Sequence, residues 1–273
     1  MRKVLDFHAH LFPDNIAEKA AKNLHEYYGL PLASNGKFED LLASARRQKI
    51  TAMVVHSTAT TASQVEKVNS YVHETVTKYK NIYGFGTIHY AYPDFEKELE
   101  RIKSMGLRGI KLHPDFQNFD IDDPKMFPIY EKIIDLDLPI LFHVGDENTT
   151  ASKPHRLANL MDRYPKMRVI AAHFGGYSDW EESYEVLAGR DLYMDTSSSL
   201  SNIDYGLAMK IIEKHGVDKF LFGTDFPLMY HEQELKLFDK LPLSDADKEK
   251  ILWDNGAKLL GIEDPDAEKT NIE

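Results

Sequence analysis

The sequence predicts an α/β fold, a single (β/α)8 TIM barrel with an extra helical insertion after the first strand. Three observations support this prediction. Short apolar, β-branched runs alternate with helix-period segments eight times along the chain, as in parallel strands joined by right-handed crossovers. Eight such units in roughly 250 residues match the barrel. Polar residues close almost every strand, whereas a doubly wound open sheet, the structural alternative, collects its ligand groups at one crevice.

Each predicted strand is a short apolar run bounded by polar residues. The strands are Val4–His10, Ala52–Ser57, Tyr83–His89, Gly109–Pro114, Pro139–Gly145, Arg168–Phe174, Leu192–Thr196 and Phe220–Asp225. Each predicted helix repeats its apolar residues at helical spacing. The helices are Phe38–Lys49, Gln64–Tyr79, Asp94–Met105, Phe127–Leu136, Pro154–Tyr164, Tyr205–His215 and Asp245–Leu260.

The longest connection lies between the first and second strands and carries an extra helix predicted at Asn15–Tyr28. We expect this insertion to cover the mouth of the barrel. Proline and glycine fall at element ends, and no low-complexity linker interrupts the chain, so one domain is expected over residues 1–263. Residues 264–273 are acidic and polar and are expected to form a flexible tail.

Composition excludes several classes of function. The net charge of −11 argues against nucleic acid or an anionic membrane as partner, because both need a basic face. No apolar run approaches the ~20 residues that span a bilayer, and the first strand starts at once, so a cytoplasmic protein without a signal peptide is expected. The chain has no cysteine, so a metal would have nitrogen and oxygen ligands, which suits zinc, manganese, iron or nickel.

Two histidines, His8 and His10, are separated by one residue in the first strand. Successive residues of a strand alternate between faces, so both imidazoles point the same way and can share a metal ion. A single His-x-His pair is common and is more often structural. Seven of the 12 histidines fall at predicted strand ends, which converge at the mouth of a barrel. These seven are His8, His10, His56, His89, His113, His143 and His173.

Two later strand ends could complete a metal site with His8 and His10. His143 follows an apolar run that would bury it, and a buried imidazole needs a polar partner. Asp225 lies at the end of another apolar strand. A buried carboxylate is strongly destabilising without a partner, so a nearby cation is expected there. His173 precedes two glycines and is predicted as a ligand of a second metal or as a general acid/base.

Lys111 and His113 share a face of the fourth predicted strand. Inside a barrel, Lys111 has three alternatives: a carbamate that bridges two metals, an ammonium that binds a substrate carboxylate, or a structural ion pair with Asp225. His113 is predicted to contact the substrate. Arg156 could bind a substrate carboxylate together with Lys111, although a position on an exposed helix face is the favoured account of Arg156.

The ordered motifs resemble a known family. They are His-x-His at residues 8–10, Gly-Ile-Lys-Leu-His-Pro at 109–114, His143, Ala-His-Phe-Gly-Gly at 172–176 and Gly-Thr-Asp-Phe-Pro at 223–227. Together they resemble the amidohydrolase superfamily, and within it the amidohydrolase-related (amidohydrolase 2) group. The resemblance implies a metal-bound barrel with His8, His10, His143 and Asp225 as ligands. It also implies either hydrolysis of amide, ester or lactone bonds, or non-oxidative decarboxylation and hydration of unsaturated and aromatic acids.

Three hypotheses of function follow. The first is a metal-dependent hydrolase in which activated water attacks a carbonyl, with Asp225 and His173 as catalytic residues. Because related decarboxylases generally lack a strand-four lysine ligand, Lys111 favours this hypothesis. The second is a decarboxylase or hydratase, a lyase in which His173 protonates carbon. The third is a metal-independent or non-catalytic binding protein.

The expected cofactor is a divalent metal, zinc with one or two ions per chain, or alternatively manganese. Lys111 would be a ligand only in a carbamylated, binuclear site. The expected partner is a small-molecule substrate, and the helical layer could also hold a homodimer interface. Loops set specificity in this fold, so the sequence does not identify the substrate.

Overall fold

The computed structural model describes residues 2–262, and within them the predicted barrel is confirmed. Eight parallel strands form two sheets, with the orders β1-β2-β3 and β4-β5-β6-β7-β8. The strands are β1 Leu5–His10, β2 Ala52–His56, β3 Ile82–Phe85, β4 Ile110–Leu112, β5 Ile140–Phe142, β6 Val169–Ala171, β7 Tyr193–Asp195 and β8 Phe220–Leu221.

Backbone hydrogen bonds join the two sheets at both seams. At the first seam, the Gly86 N–H donates to the Gly109 carbonyl at 2.9 Å, and the Lys111 N–H donates to the Gly86 carbonyl at 2.7 Å. At the second, the Phe7 N–H donates to the Phe222 carbonyl at 2.8 Å. The eight strands therefore surround one core, and their carboxyl ends meet on one side.

The helices pack around the strands, and α1 is the predicted insertion. They are α1 Asp14–Tyr28, α2 Phe38–Gln48, α3 Val65–Val76, α4 Phe95–Ser104, α5 Pro114–Gln117, α6 Phe127–Asp135, α7 Pro154–Arg163, α8 Trp180–Val186, α9 Tyr205–His215, α10 His231–Phe238, α11 Asp245–Glu249 and α12 Asn255–Leu260. Short 3-10 turns lie at Ala62–Gln64, Pro124–Met126, His173–Gly175 and Val217–Lys219. None of the helices within residues 2–262 has the length and apolar character that crossing a bilayer requires.

Two buried apolar clusters reflect the alternation of side chains along the strands. The larger one, which includes Val55, Ile110 and Phe142, packs beneath the helices. The smaller one takes the alternate positions, such as Val54 and Leu141, and continues into the C-terminal helix. Strand residues on the opposite face from the helices thus form a separate inner core, as expected for a filled barrel.

Each predicted strand and helix has a counterpart in the structure, but the predicted strands are longer than the observed ones. Strands β4 to β8 have two or three residues each, so the histidines predicted at their ends lie in the loops that follow. The predicted helix Asp245–Leu260 is divided by a π-helical turn at Lys250–Asp254. The short helices α5, α8 and α10 were not predicted. The predicted flexible tail, 264–273, lies outside the described residues.

Gly145 follows β5 and lies where the backbones of two loops come close together. Its φ is +85°, and a Cβ there would lie 2.3 Å from the Tyr177 carbonyl oxygen. Neither backbone can yield easily, because the Tyr177 N–H donates to the Val144 carbonyl at 2.7 Å. The position therefore requires glycine for both conformation and space.

Gly145→Ala is expected to lower the free energy of unfolding by at least about 2 kcal/mol, through the left-handed backbone and the backbone clash together. Gly106→Ala is the matched control, because Gly106 has a φ of +78° but nothing lies within 4 Å of the position that a Cβ would take there. The control should lose only about 1 kcal/mol. Urea denaturation measures both, and equal losses would contradict the clash.

Candidate metal centre

The candidate site is a cavity on the side of the barrel where the strands end. It offers about 20 Å³ of space to water, enough for roughly one molecule. The empty space of the cavity, which includes its opening to solvent, is about 340 Å³. The lining residues are His10, Leu24, Tyr28, Leu30, His113, His143, His173, Tyr177, Asp225 and Leu228.

Three of the predicted ligands, His8, His10 and Asp225, form one group. His10 Nε2 lies 3.0 Å from Asp225 Oδ1, and His8 Nε2 lies 3.4 Å from the same oxygen. One donor atom from each residue lies within 4.8 Å of the others. Burial lowers the pKa of His8 well below its ordinary value, and the charge of Lys111 lowers it further. This imidazole is therefore neutral at pH 7, the form that binds metals.

Asp225 is held as a carboxylate in a strained backbone position. Burial acts to raise its pKa, but the neighbouring imidazoles of His8, His10 and His173 outweigh burial and hold the pKa below its usual range. The Ser198 hydroxyl donates to Asp225 Oδ2 at 2.8 Å. The φ of Asp225 is +58°, and such strain persists where the surrounding contacts fix the residue.

His173 also sits in the left-handed region, with a φ of +60°. Its Nδ1 lies 3.0 Å from the Ser197 carbonyl oxygen. A carbonyl only accepts, so this contact favours the proton on Nδ1. His173 Nε2 then faces the cavity and lies 3.1 Å from His143 Nδ1.

Sequence reasoning missed Asp195, the buried last residue of β7. Its Oδ2 lies 2.8 Å from His8 Nδ1, and its Oδ1 accepts from the His173 N–H at 2.9 Å. A carboxylate on the distal nitrogen fixes the tautomer and the orientation of a ligating imidazole. Asp195 could have been found from the sequence, because it is an aspartate at the end of a predicted strand in Tyr-Met-Asp-Thr-Ser. Asp225 was selected by this same criterion.

His143 does not fall in the group of His8, His10 and Asp225. It lies in a second group with His113 and Asp115, whose donor atoms are also within 4.8 Å of one another. The rings of His113 and His143 stack with centroids 4.0 Å apart, and burial lowers the pKa of both well below the ordinary value. The contact with His173 links the two groups, and ligation by His143 stays a prediction.

Lys111 is fully buried beside the first group. Its Nζ lies 3.3 Å from His8 Nε2. Burial lowers its pKa to about 8, while Asp195 and Asp225 act in the opposite direction. A lysine with this pKa is mostly an ammonium at pH 7. Carbamylation of Lys111 stays a prediction.

The structure places Arg156 away from the cavity. Its guanidinium lies 2.6 Å from Asp122 and 3.2 Å from Asp120, and its Nε donates to the Thr150 carbonyl. The substrate role predicted for Arg156 is therefore not supported, because nearby carboxylates hold it in a surface network. His113, the other predicted substrate contact, does line the cavity.

The donor set fits a divalent cation. Two imidazole nitrogens and a carboxylate oxygen converge, and nitrogen with oxygen ligands suits zinc and manganese. His56 packs against both His8 and His10, with ring centroids 4.8 Å from each. Its two buried ring nitrogens have no hydrogen-bond partner within residues 2–262.

A sequence model of the amidohydrolase family matches residues 5–262. The chain belongs to the amidohydrolase family. Among the relatives of this amidohydrolase is the gamma-resorcylate decarboxylase of Polaromonas sp. (strain JS666), 22% identical over 249 residues, with 72% of this chain and 76% of the relative covered. The resemblance read from the motifs is thereby confirmed.

Solved structures share the fold of this amidohydrolase. An uncharacterised TIM-barrel protein from Bordetella bronchiseptica has a TM-score of 0.79 at 20% identity, covering 95% of this chain and 98% of that one. A dihydroxybenzoic acid decarboxylase from Polaromonas sp. JS666, with bound manganese and the inhibitor 2-nitroresorcinol, has a TM-score of 0.73 at 19% identity. That match covers 97% of this chain and 98% of the decarboxylase.

In this amidohydrolase, Asp195→Asn is expected to weaken Mn²⁺ binding about 10- to 100-fold, because the amide no longer fixes the His8 imidazole. Titration calorimetry on metal-stripped protein measures the affinity. Asp191→Asn is the matched control, since Asp191 is exposed and pairs only with Lys219 at 2.9 Å among the contacts described. An Asp195→Asn protein that binds Mn²⁺ like the wild type would show that Asp195 does not support the metal.

Proposed function

We propose that this protein is a metal-dependent decarboxylase of a hydroxylated aromatic acid. The observation that carries the proposal is the character of the cavity wall. Among residues 2–262, no lysine or arginine lines the cavity, so the metal, the imidazoles and the hydroxyls of Tyr28 and Tyr177 are the polar groups available to a substrate carboxylate. The carboxylate is then held at the reactive centre, as decarboxylation requires.

The other walls suit a planar ring. Leu24, Leu30 and Leu228 supply apolar surface, and Tyr177 an aromatic face. Apolar walls with a few convergent polar groups are typical of small-molecule sites. The Polaromonas relatives decarboxylate gamma-resorcylate and dihydroxybenzoic acid, substrates of the chemistry that these walls favour.

This proposal reverses the order of the hypotheses from sequence. Hydrolysis was placed first because Lys111 occupies a position that related decarboxylases generally leave without a ligating lysine. The relatives support the lyase hypothesis better, and Lys111 Nζ lies 3.3 Å from His8 Nε2. We therefore assign Lys111 the role of a buried cation beside His8.

The roles of the residues follow from their contacts. His8, His10 and Asp225 would hold the metal, with His143 as the predicted fourth ligand. The metal supplies positive charge that binds the substrate's oxygens and stabilises negative charge as carbon dioxide leaves. When the carbon–carbon bond breaks, its electron pair stays on the ring carbon and takes a proton. His173 in its doubly protonated form is the proposed donor of that proton from Nε2, and it keeps its second proton on Nδ1, bonded to the Ser197 carbonyl.

Manganese-loaded protein is expected to release carbon dioxide from gamma-resorcylate (2,6-dihydroxybenzoate). His173→Asn should lower kcat about 10²- to 10⁴-fold, as loss of a general acid does. His155→Asn is the control, because His155 is half-exposed and pairs with Glu182 at 2.7 Å. Carbon dioxide release is followed in a coupled assay. Hydrolysis of an ester or lactone without any decarboxylation of hydroxybenzoates would overturn the proposal.

Lys111→Met separates the lyase from a lysine-bridged hydrolase. The decarboxylase proposal predicts about one metal per chain in both proteins, because Lys111 is not a ligand. Methionine fills a similar apolar volume, so the variant should fold. Elemental analysis of the purified proteins gives the counts. Two metals in the wild type, falling in the variant, would instead establish the bridged hydrolase.

A further inference from the structure

Tyr28 reaches the cavity from outside the barrel. It is the last residue of α1, yet its hydroxyl oxygen lies 3.1 Å from His113 Nε2 and 3.4 Å from His143 Nε2. Its ring packs edge-on against Tyr177, with centroids 5.5 Å apart. The insertion therefore places a polar atom against two buried imidazoles of the site.

The protonation of His113 determines how Tyr28 bonds to it. The Phe116 N–H donates to His113 Nδ1 at 3.4 Å, so Nδ1 is unprotonated. A neutral imidazole carries one N–H, which is then on Nε2. His113 therefore donates to the Tyr28 oxygen, and Tyr28 is the acceptor in this contact.

The contact with the second imidazole is longer, at 3.4 Å from the Tyr28 oxygen to His143 Nε2. His143 Nδ1 in turn faces His173 Nε2 at 3.1 Å. A phenol oxygen accepts through its lone pairs and has one O–H to donate. While the Tyr28 oxygen accepts from His113, its O–H can therefore bond to a ligand in the cavity in place of the longer contact with His143.

We propose that the Tyr28 hydroxyl donates a hydrogen bond to a ring hydroxyl oxygen of the bound aromatic acid, and that Tyr28 is a specificity-determining residue. This inference rests on the proposed function for the class of ligand. Leu24 and Leu30 come from the same insertion and line the same cavity, so one segment supplies both the apolar contact with the ring and the polar contact with its substituent.

Tyr27 provides a matched control. It precedes Tyr28 on the same helix, but its hydroxyl donates to Asp146 Oδ1 at 3.2 Å, and it does not line the cavity. Tyr27→Phe and Tyr28→Phe each remove one oxygen atom from α1. A general effect on the insertion would appear in both variants, whereas a contact with the ligand would appear only in Tyr28→Phe.

The first experiment is calorimetric titration of manganese-loaded wild type, Tyr28→Phe and Tyr27→Phe with 2-nitroresorcinol and with benzoate, which lacks ring hydroxyls. Tyr28→Phe should raise the Kd of 2-nitroresorcinol about tenfold, the effect of one hydrogen bond. Its Kd for benzoate, and both values for Tyr27→Phe, should stay within about twofold of the wild type. An unchanged affinity of Tyr28→Phe for 2-nitroresorcinol, an equal loss with benzoate, or no binding by the wild type would each overturn the inference.

The second experiment measures turnover of gamma-resorcylate. Tyr28→Phe should raise KM about tenfold and leave kcat within about twofold, the pattern of lost uniform binding. A fall in kcat at unchanged KM would contradict a binding role. If the wild type binds 2-nitroresorcinol through Tyr28 but releases no carbon dioxide, the proposed function fails while the assignment of Tyr28 stands.

Discussion

The seam between the first and last strands is the contact on which the site depends. The Asp225 N–H donates to the His8 carbonyl at 2.7 Å, and the His10 N–H donates to the Phe226 carbonyl at 2.9 Å. These bonds close the ring of strands and place residues from opposite ends of the sequence side by side. The same two backbone segments carry the imidazoles of His8 and His10 and the carboxylate of Asp225. Closure of the barrel therefore brings these three side chains together.

Burial then decides the charge of each group. Desolvation keeps the imidazole of His8 neutral, whereas the surrounding imidazoles keep Asp225 ionised. Asp195 anchors His8 from behind and also accepts the backbone N–H of His173. One carboxylate therefore positions a predicted metal ligand and the proposed proton donor together. A mutation there should affect both functions, which distinguishes it from loss of either residue alone.

The sequence predicted the barrel and the proximity of His8, His10 and Asp225 because both follow from local patterns. Strand alternation predicted that His8 and His10 share a face, and Asp225 was selected as a carboxylate at the end of an apolar strand. Asp195 met the same criterion but was overlooked. The ion pairs of Arg156 could not be predicted, because its partners Asp120 and Asp122 lie in another loop and meet it only in the tertiary structure. The insertion was expected to cover the mouth of the barrel, but the sequence does not show that Tyr28 is the residue whose hydroxyl reaches the cavity.

In the proposed function, reaction and specificity arise from different parts of this chain. The strand ends contribute the imidazoles and carboxylates, whose positions are fixed by closure of the barrel. The insertion contributes Leu24 and Tyr28 from α1 and Leu30 from the segment that follows it. All three residues line the cavity. A change in α1 can alter the accepted ring without disturbing the seam, whereas a change at the seam removes the ligand group whatever the substrate.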